Sequence, residues 1–213
     1  MALDTRGADA VRASIEAAAP QHPSLIDHAH ALDALLGVTN VPSGTWIDEH
    51  GVIVRPPEPA CPNRIVLESI RDAKLPEDAP PRRHQSLAEA RKIRFEPERY
   101  VAALRDWVAL GASSRFALTP DEVLRRSAPR SREIALAAAH FELGQHLARR
   151  GAANDAIPHF REAARLHPDN WTHRRQAWNL LEPGQDPLTA YGTDWLEEVL
   201  RIGAENYYPP LDM

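Results

Sequence analysis

Cysteine is almost missing from this chain, and its scarcity excludes more than any feature present. Among 213 residues only Cys61 is a cysteine. No internal disulfide, no Cys-x-x-Cys redox pair and no cysteine-based zinc site can therefore be built from the chain alone. Long apolar runs are missing as well: no stretch approaches the ~18 residues that a membrane-spanning helix needs. The opening MALDTRGADA has neither the basic nor the apolar segment of a secretory signal. The expectation is a cytoplasmic protein with no membrane partner. A basic cluster is the third absence. The net charge is −5, and Arg82-Arg83, Arg125-Arg126, Arg149-Arg150 and Arg174-Arg175 stand far apart among acids. They read as solvated helix faces, which argues against a nucleic-acid partner.

The common catalytic signatures are also absent. There is no glycine-rich phosphate loop, no Gly-x-Ser-x-Gly elbow and no nucleophile-base pairing, so no cofactor is expected. Ten histidines invite a metal. The closest groups, His28 with His30 and His140 with His146, lack the i, i+4 spacing with a nearby acid of a helical zinc site, and no metal centre is expected. Asp27 and Asp48 close short apolar runs, where a carboxylate could do acid/base work but more often caps the next turn or helix.

An apolar fraction of 43% is enough for a real core, in one large or two small domains. The organising stretch is Val38 to Arg55, VTNVPSGTWIDEHGVIVR. Thr45 to Asp48 and Val52 to Arg55 are rich in β-branched and aromatic residues. Gly51, in Glu49-His50-Gly51 between them, can take the positive φ of a short hairpin loop. Val41-Pro42 sits just before the first strand, and X-Pro is the one peptide bond whose cis form is readily built into a fold. By itself this is also the pattern of an edge hairpin whose proline merely stops a strand.

Upstream, Met1 to Asp4 reads as the tail of a strand, and a helix from Ala8 to Ala19 carries Val11, Ile15 and Ala18 at helical spacing. Pro20 and Pro23 stop it. Ser24 to Asp27 reads as a short strand. Ala29 to Leu36 reads as a second helix with Leu32, Leu35 and Leu36 facing inward, closed by Gly37 in a left-handed cap.

This order, with LDTRG, HPSLID, LLGVTNVPSGTWIDEHG and VRP at these separations, resembles the C-terminal half of thioredoxin-like redoxins of the ResA/TlpA and peroxiredoxin-related type. The resemblance covers about residues 1 to 58. It implies that Pro42 is cis, and that Val41 and Pro42, flanked by Asn40, form the substrate-binding segment. Its substrate would be a thiol or disulfide protein, or a peroxide. The family works through a thiolate on a Cys-x-x-Cys helix, whose N-terminus stabilises the charge. No such motif occurs here, so no catalytic residue is assigned and the chain is expected to be silent. The central strand of such a sheet would be missing too. A start internal to a longer gene product is the corresponding expectation: some of these redoxins carry selenocysteine in the motif, and a UGA codon read as a stop would produce it. In-frame DNA upstream of Met1 tests that.

Residues 59 to 83 read as a Pro-rich linker. Across Pro56 to Pro81 the prolines Pro56, Pro57, Pro59, Pro62, Pro76, Pro80 and Pro81 preclude a continuous helix or a central strand. A short helix over Arg64 to Lys74, with Ile65 or Val66 and Ile70 inside, is the exception. Cys61 lies here, either a resolving thiol or a small buried side chain.

From Leu87 the chain reads as helical. A connector spans 84 to 135. Within it, a helix from Pro97 to Gly111 carries Tyr100, Val101, Leu104, Trp107 and Val108 on one stripe, and a helix capped by Thr119 reaches Arg126. Residues 136 to 182 form a tetratricopeptide-like unit: Leu143, Gly144, Leu147, Ala156, Phe160, Ala163 and Pro168 match the spacing of that helical hairpin, with His140 in place of its first aromatic. Residues 183 to 213 give a last helix with Trp195, Val199 and Ile202, and a tail with Tyr207 and Tyr208. The expected fold class is therefore an α/β partial thioredoxin-like domain followed by an all-α tetratricopeptide-like region. The rival expectation is a non-enzymatic scaffold that binds a protein partner through its helical repeat.

Overall fold

The computed structural model describes residues 1–61, 64–127 and 129–213, with no side chains for 64–67. Pro62 of the proline run, and the inward position expected of Ile65 or Val66, lie outside the described residues. The chain is a mixed α/β protein dominated by helices, and its strands are short. It divides into two compact units that interleave in sequence: Met1–Thr39 with Pro129–Gly192, and Asn40–Ala128 with Thr193–Met213. The passage at Thr39 falls inside the stretch that the redoxin resemblance treats as one half-domain.

In the first unit, β1 (Ala2–Leu3), α1 (Ala8–Ala18) and β2 (Ile26–Asp27) form a β-α-β unit. Its strands run parallel, with Ala2 opposite Ile26 and Leu3 opposite Asp27. The apolar stripe of α1 is weaker than expected: Val11 and Ile15 are half-buried and Ala18 is exposed. Helix α2 (Ala31–Leu36) corrects a second expectation, since Leu32 and Leu35 are exposed and Asp33 is the buried residue. Two polar ties set this rotation. The Asp27 carboxylate accepts the N–H groups of Ala31 (2.9 Å), Leu32 (2.7 Å) and Asp33 (3.2 Å). His30, at φ 56, donates through Nδ1 to Asp33 Oδ2 at 2.8 Å. These bonds satisfy the orphan donors of the helix start and hold residue 33 inward, against the leucine pattern.

The rest of this unit is α7 (Arg132–Arg149), α8 (Ala153–Leu166), α9 (Trp171–Asn179) and α10 (Pro187–Tyr191). Ser131 caps α7 and Asn170 caps α9 through their side-chain oxygens. Phe141, Ala156, Phe160, Ala163 and Ala177 make the core. A Cβ at Gly144 would lie 2.7 Å from Phe160 Cε1, so the close approach of α7 and α8 requires glycine there. Leu143, from the same spacing pattern, is exposed.

The second unit holds an antiparallel ribbon, β3 (Ser43–Ile47) and β4 (Ile53–Pro59). Gly51 has φ 78 at its turn, and the Asp48 carboxylate accepts from His50 N–H (2.9 Å) and Val52 N–H (2.8 Å). Strand β4 continues into the proline run. Gly44 faces Glu58 while Trp46 faces Arg55, so β4 carries one more residue than β3 between these pairs, a bulge containing Pro56 and Pro57. An edge strand with a single partner tolerates this. Trp46 anchors the core with Ala60, Tyr100, Ala103 and Leu211, stacks on Trp107 at 4.9 Å and donates from Nε1 to Tyr100 Oη at 3.3 Å.

Helices α3 (Arg64–Asp72), α4 (Pro81–Ala90), α5 (Pro97–Leu110), α6 (Pro120–Arg126) and α11 (Trp195–Ile202) complete the unit. Helix α4 begins at Pro81, earlier than the expected Leu87. The proline suits a first helical position, and Arg82 is held by Asp194 (2.7 Å) and Glu197 (3.0 Å). On α5, Val108 is exposed and Ala103 is the fully buried residue, a further correction to the expected stripe. Arg55, itself buried, grips Glu58 (2.6 and 3.1 Å) and donates to the carbonyls of Phe116 (2.7 Å) and Asp212 (2.6 Å). That ties the C-terminal tail to the ribbon.

Candidate functional site

The predicted substrate segment opens the second unit. The Val41-Pro42 peptide is cis. Asn40 uses both ends of its amide: Oδ1 accepts the Val41 N–H at 2.9 Å, and Nδ2 donates to the Tyr207 carbonyl at 3.2 Å. Tyr208 Oη donates to the Val41 carbonyl at 2.6 Å, and the Ala60 N–H donates to the Pro42 carbonyl at 3.1 Å. Every backbone hydrogen-bonding group of Val41 and Pro42 is thus satisfied within the unit. Tyr208 packs on Phe95 (4.9 Å) and on Tyr207 (4.8 Å). The tail is therefore a built part of this loop, and no sequence signal linked Tyr208 to Val41. Cys61 follows Ala60, is buried and forms no disulfide.

The first unit carries a second polar locus, at the carboxyl ends of β1 and β2. Gln176, on α9, accepts the Thr5 N–H at 3.0 Å through Oε1 and donates through Nε2 to the Leu3 carbonyl at 3.3 Å. One residue of a parallel strand facing Asp4 would bond to the same two groups, so the Gln176 amide stands in for a strand at the outer edge of β1. Asp4 is held below the usual carboxylate range by its hydrogen bond from Arg6, against the opposing effect of burial.

Around this edge, Phe141 is stacked face to face on His173 (3.9 Å) and meets His30 edge-on (5.2 Å). Burial, and to a lesser degree the charges of His167 and His30, push His173 down to about 3. Thr5 Oγ1, His30 Nε2, Asp33 Oδ1, Gln145 Nε2 and His173 Nδ1 are buried with no hydrogen-bond partner among the described residues. Asp27, His30 and Asp33 recur every third residue, a spacing that could have flagged the locus. Gln176 lies too far along the chain to leave such a signal.

The histidines that lie nearest one another in the sequence do not converge. His28 is exposed while His30 is buried, and His140 meets His159 on α8 rather than His146. Among the described residues no group of three or more His, Cys, Asp or Glu is placed to hold a metal, and no helix is long and apolar enough to cross a membrane. Asp27 and Asp48 both act as caps. No protein-family model, no curated protein and no solved structure matches the chain.

Proposed function

We propose that this chain is a cytoplasmic thioredoxin-like redoxin of the ResA/TlpA type with a tetratricopeptide-like helical region, in which the substrate-holding loop is present and the redox-active thiol motif is not. The observation that carries the reading is the outer edge of β1. It belongs to a parallel β-α-β unit, and a side-chain amide occupies it in the bonding pattern of a further parallel strand. The reading places the central, Cys-x-x-Cys-bearing strand of a redoxin along that edge. Asn40, Val41 and Pro42 hold the substrate, a thiol or disulfide protein or a peroxide, once the Asn40 amide and the Tyr208 hydroxyl release the N–H and the carbonyl of Val41. Thiol–disulfide exchange needs an attacking thiolate, and Cys61 is buried and outside any Cys-x-x-Cys pair. The chain by itself is catalytically silent.

The test is complementation. A separately produced redoxin segment, comprising the central strand and its Cys-x-x-Cys helix, is mixed with the chain in dithiothreitol, and insulin reduction is followed. The mixture should exceed the segment alone, while the chain alone should match a heat-treated control. A mixture no faster than the segment alone overturns the reading.

A second reading is favoured by one observation. Leu136 and Leu143, two turns apart on α7, are exposed, as the face of a helical repeat that takes a protein partner would be. Retention of a partner by the whole chain, and its loss in a Leu136→Glu, Leu143→Glu variant, would support that scaffold role.

A further inference from the structure

We infer that His140 and His159 form a two-histidine site for a divalent transition-metal ion, open to solvent on the α7–α8 hairpin. Their Nδ1 atoms lie 3.0 Å apart. Their ring centroids are 5.3 Å apart and the rings are inclined by 30°. Both residues are half-buried and sit within helices, His140 on α7 and His159 on α8. Two imidazoles on a tetrahedral ion, each nitrogen ~2.0–2.1 Å from it, have nitrogens about 3.4 Å and ring centroids about 5.2 Å apart. The centroid spacing already fits. The rings need only pivot in place, so that two nitrogens now pointing at each other point instead to a common ion.

In the metal-free pair one Nδ1–H donates to the other Nδ1. Binding moves that proton to Nε2 of the same ring and presents two lone pairs, with no net proton released. Waters or a small ligand fill the remaining positions. Glu162, one turn beyond His159, is paired with Arg165 at 2.6 and 2.8 Å, so no unpaired carboxylate of that turn competes with water for the open positions. Imidazole nitrogen suits copper, nickel and zinc, and the usual affinity order makes Cu²⁺ the tightest.

The experiment adds Cu²⁺ or Zn²⁺ alone to the purified full chain and measures affinity by competition with a chromophoric chelator. One equivalent should bind, Cu²⁺ more tightly than Zn²⁺. His140→Ala and His159→Ala should each weaken binding at least about tenfold, and His146→Ala should leave it unchanged. Copper paramagnetic resonance should show two coupled nitrogens in the wild type and one in each single variant. The absence of saturable binding overturns the site, as does wild-type affinity in both single variants or a spectrum unchanged by them.

Discussion

The side-chain oxygen of Gln176 accepts the Thr5 N–H at 3.0 Å, while the nitrogen of the same amide reaches the Leu3 carbonyl. A helix thereby closes the edge of a strand with which it shares no sequence proximity. An open strand edge is a template for pairing with another chain, and here one glutamine occupies it. The bond pattern is what gives the redoxin reading physical content: it specifies where a further strand would lie and which side chain it would displace.

At the Val-Pro loop, Tyr208→Phe removes the hydroxyl that reaches Val41 and keeps the ring on Phe95. A single hydrogen bond of this kind contributes ~1 kcal/mol. The urea midpoint should fall correspondingly, with an unchanged slope. An unchanged midpoint would mean that the Tyr208 hydroxyl contributes nothing to holding the loop, which would then rest on the Asn40–Tyr207 bond.

Gly144→Ala sets helix propensity against packing. Alanine is favoured in a helix by ~1 kcal/mol, but its Cβ would meet the Phe160 ring at 2.7 Å, and overpacking of this kind costs ~1–3 kcal/mol. Packing should win, and thermal unfolding should show a net loss. A gain in stability would show that the two helices can separate freely.

His173 makes the first unit sensitive to acid. Its ordinary value is 6.5 and burial pushes it down to about 3, so the unfolded chain binds more protons at that site than the folded one between those limits. Stability is full above pH ~6.5 and declines as pH falls toward 3, by about 1.4 kcal/mol per pH unit, or roughly 2 kcal/mol by pH 5. His167 is shifted downward too, by burial, and adds in the same direction. Urea midpoints at pH 7.5, 6 and 5 should fall steadily in the wild type and less steeply in His173→Phe, which keeps an aromatic ring against Phe141. Equal slopes would remove His173 as the cause.

What was legible in the sequence was local. Gly51, Asp48 and Gly37 act within a few residues of themselves, so their turn and cap roles followed from chemistry alone. The α5 and α7–α8 segments followed from helical spacing. Leu32, Leu35 and Val108 went astray because periodicity finds a stripe without knowing what anchors it. At α2 the anchor is polar, through Asp27 and the His30–Asp33 bond, and on α5 the small Ala103 takes the interior place. The interleaving of the two units was not legible, nor were the Gln176 and Tyr208 bonds. Each joins residues more than a hundred and sixty positions apart, and no local pattern encodes such a pairing.

The most direct measurement titrates a fluorescent redoxin strand–Cys-x-x-Cys–helix segment into the chain and into its Gln176→Ala variant, and reads the anisotropy. If the outer edge of β1 is the seat of that strand, the segment should bind saturably to both, about tenfold more tightly to Gln176→Ala, which no longer has to release an amide from Leu3 and Thr5. No saturable binding to either protein, or weaker binding to the variant, would contradict the account.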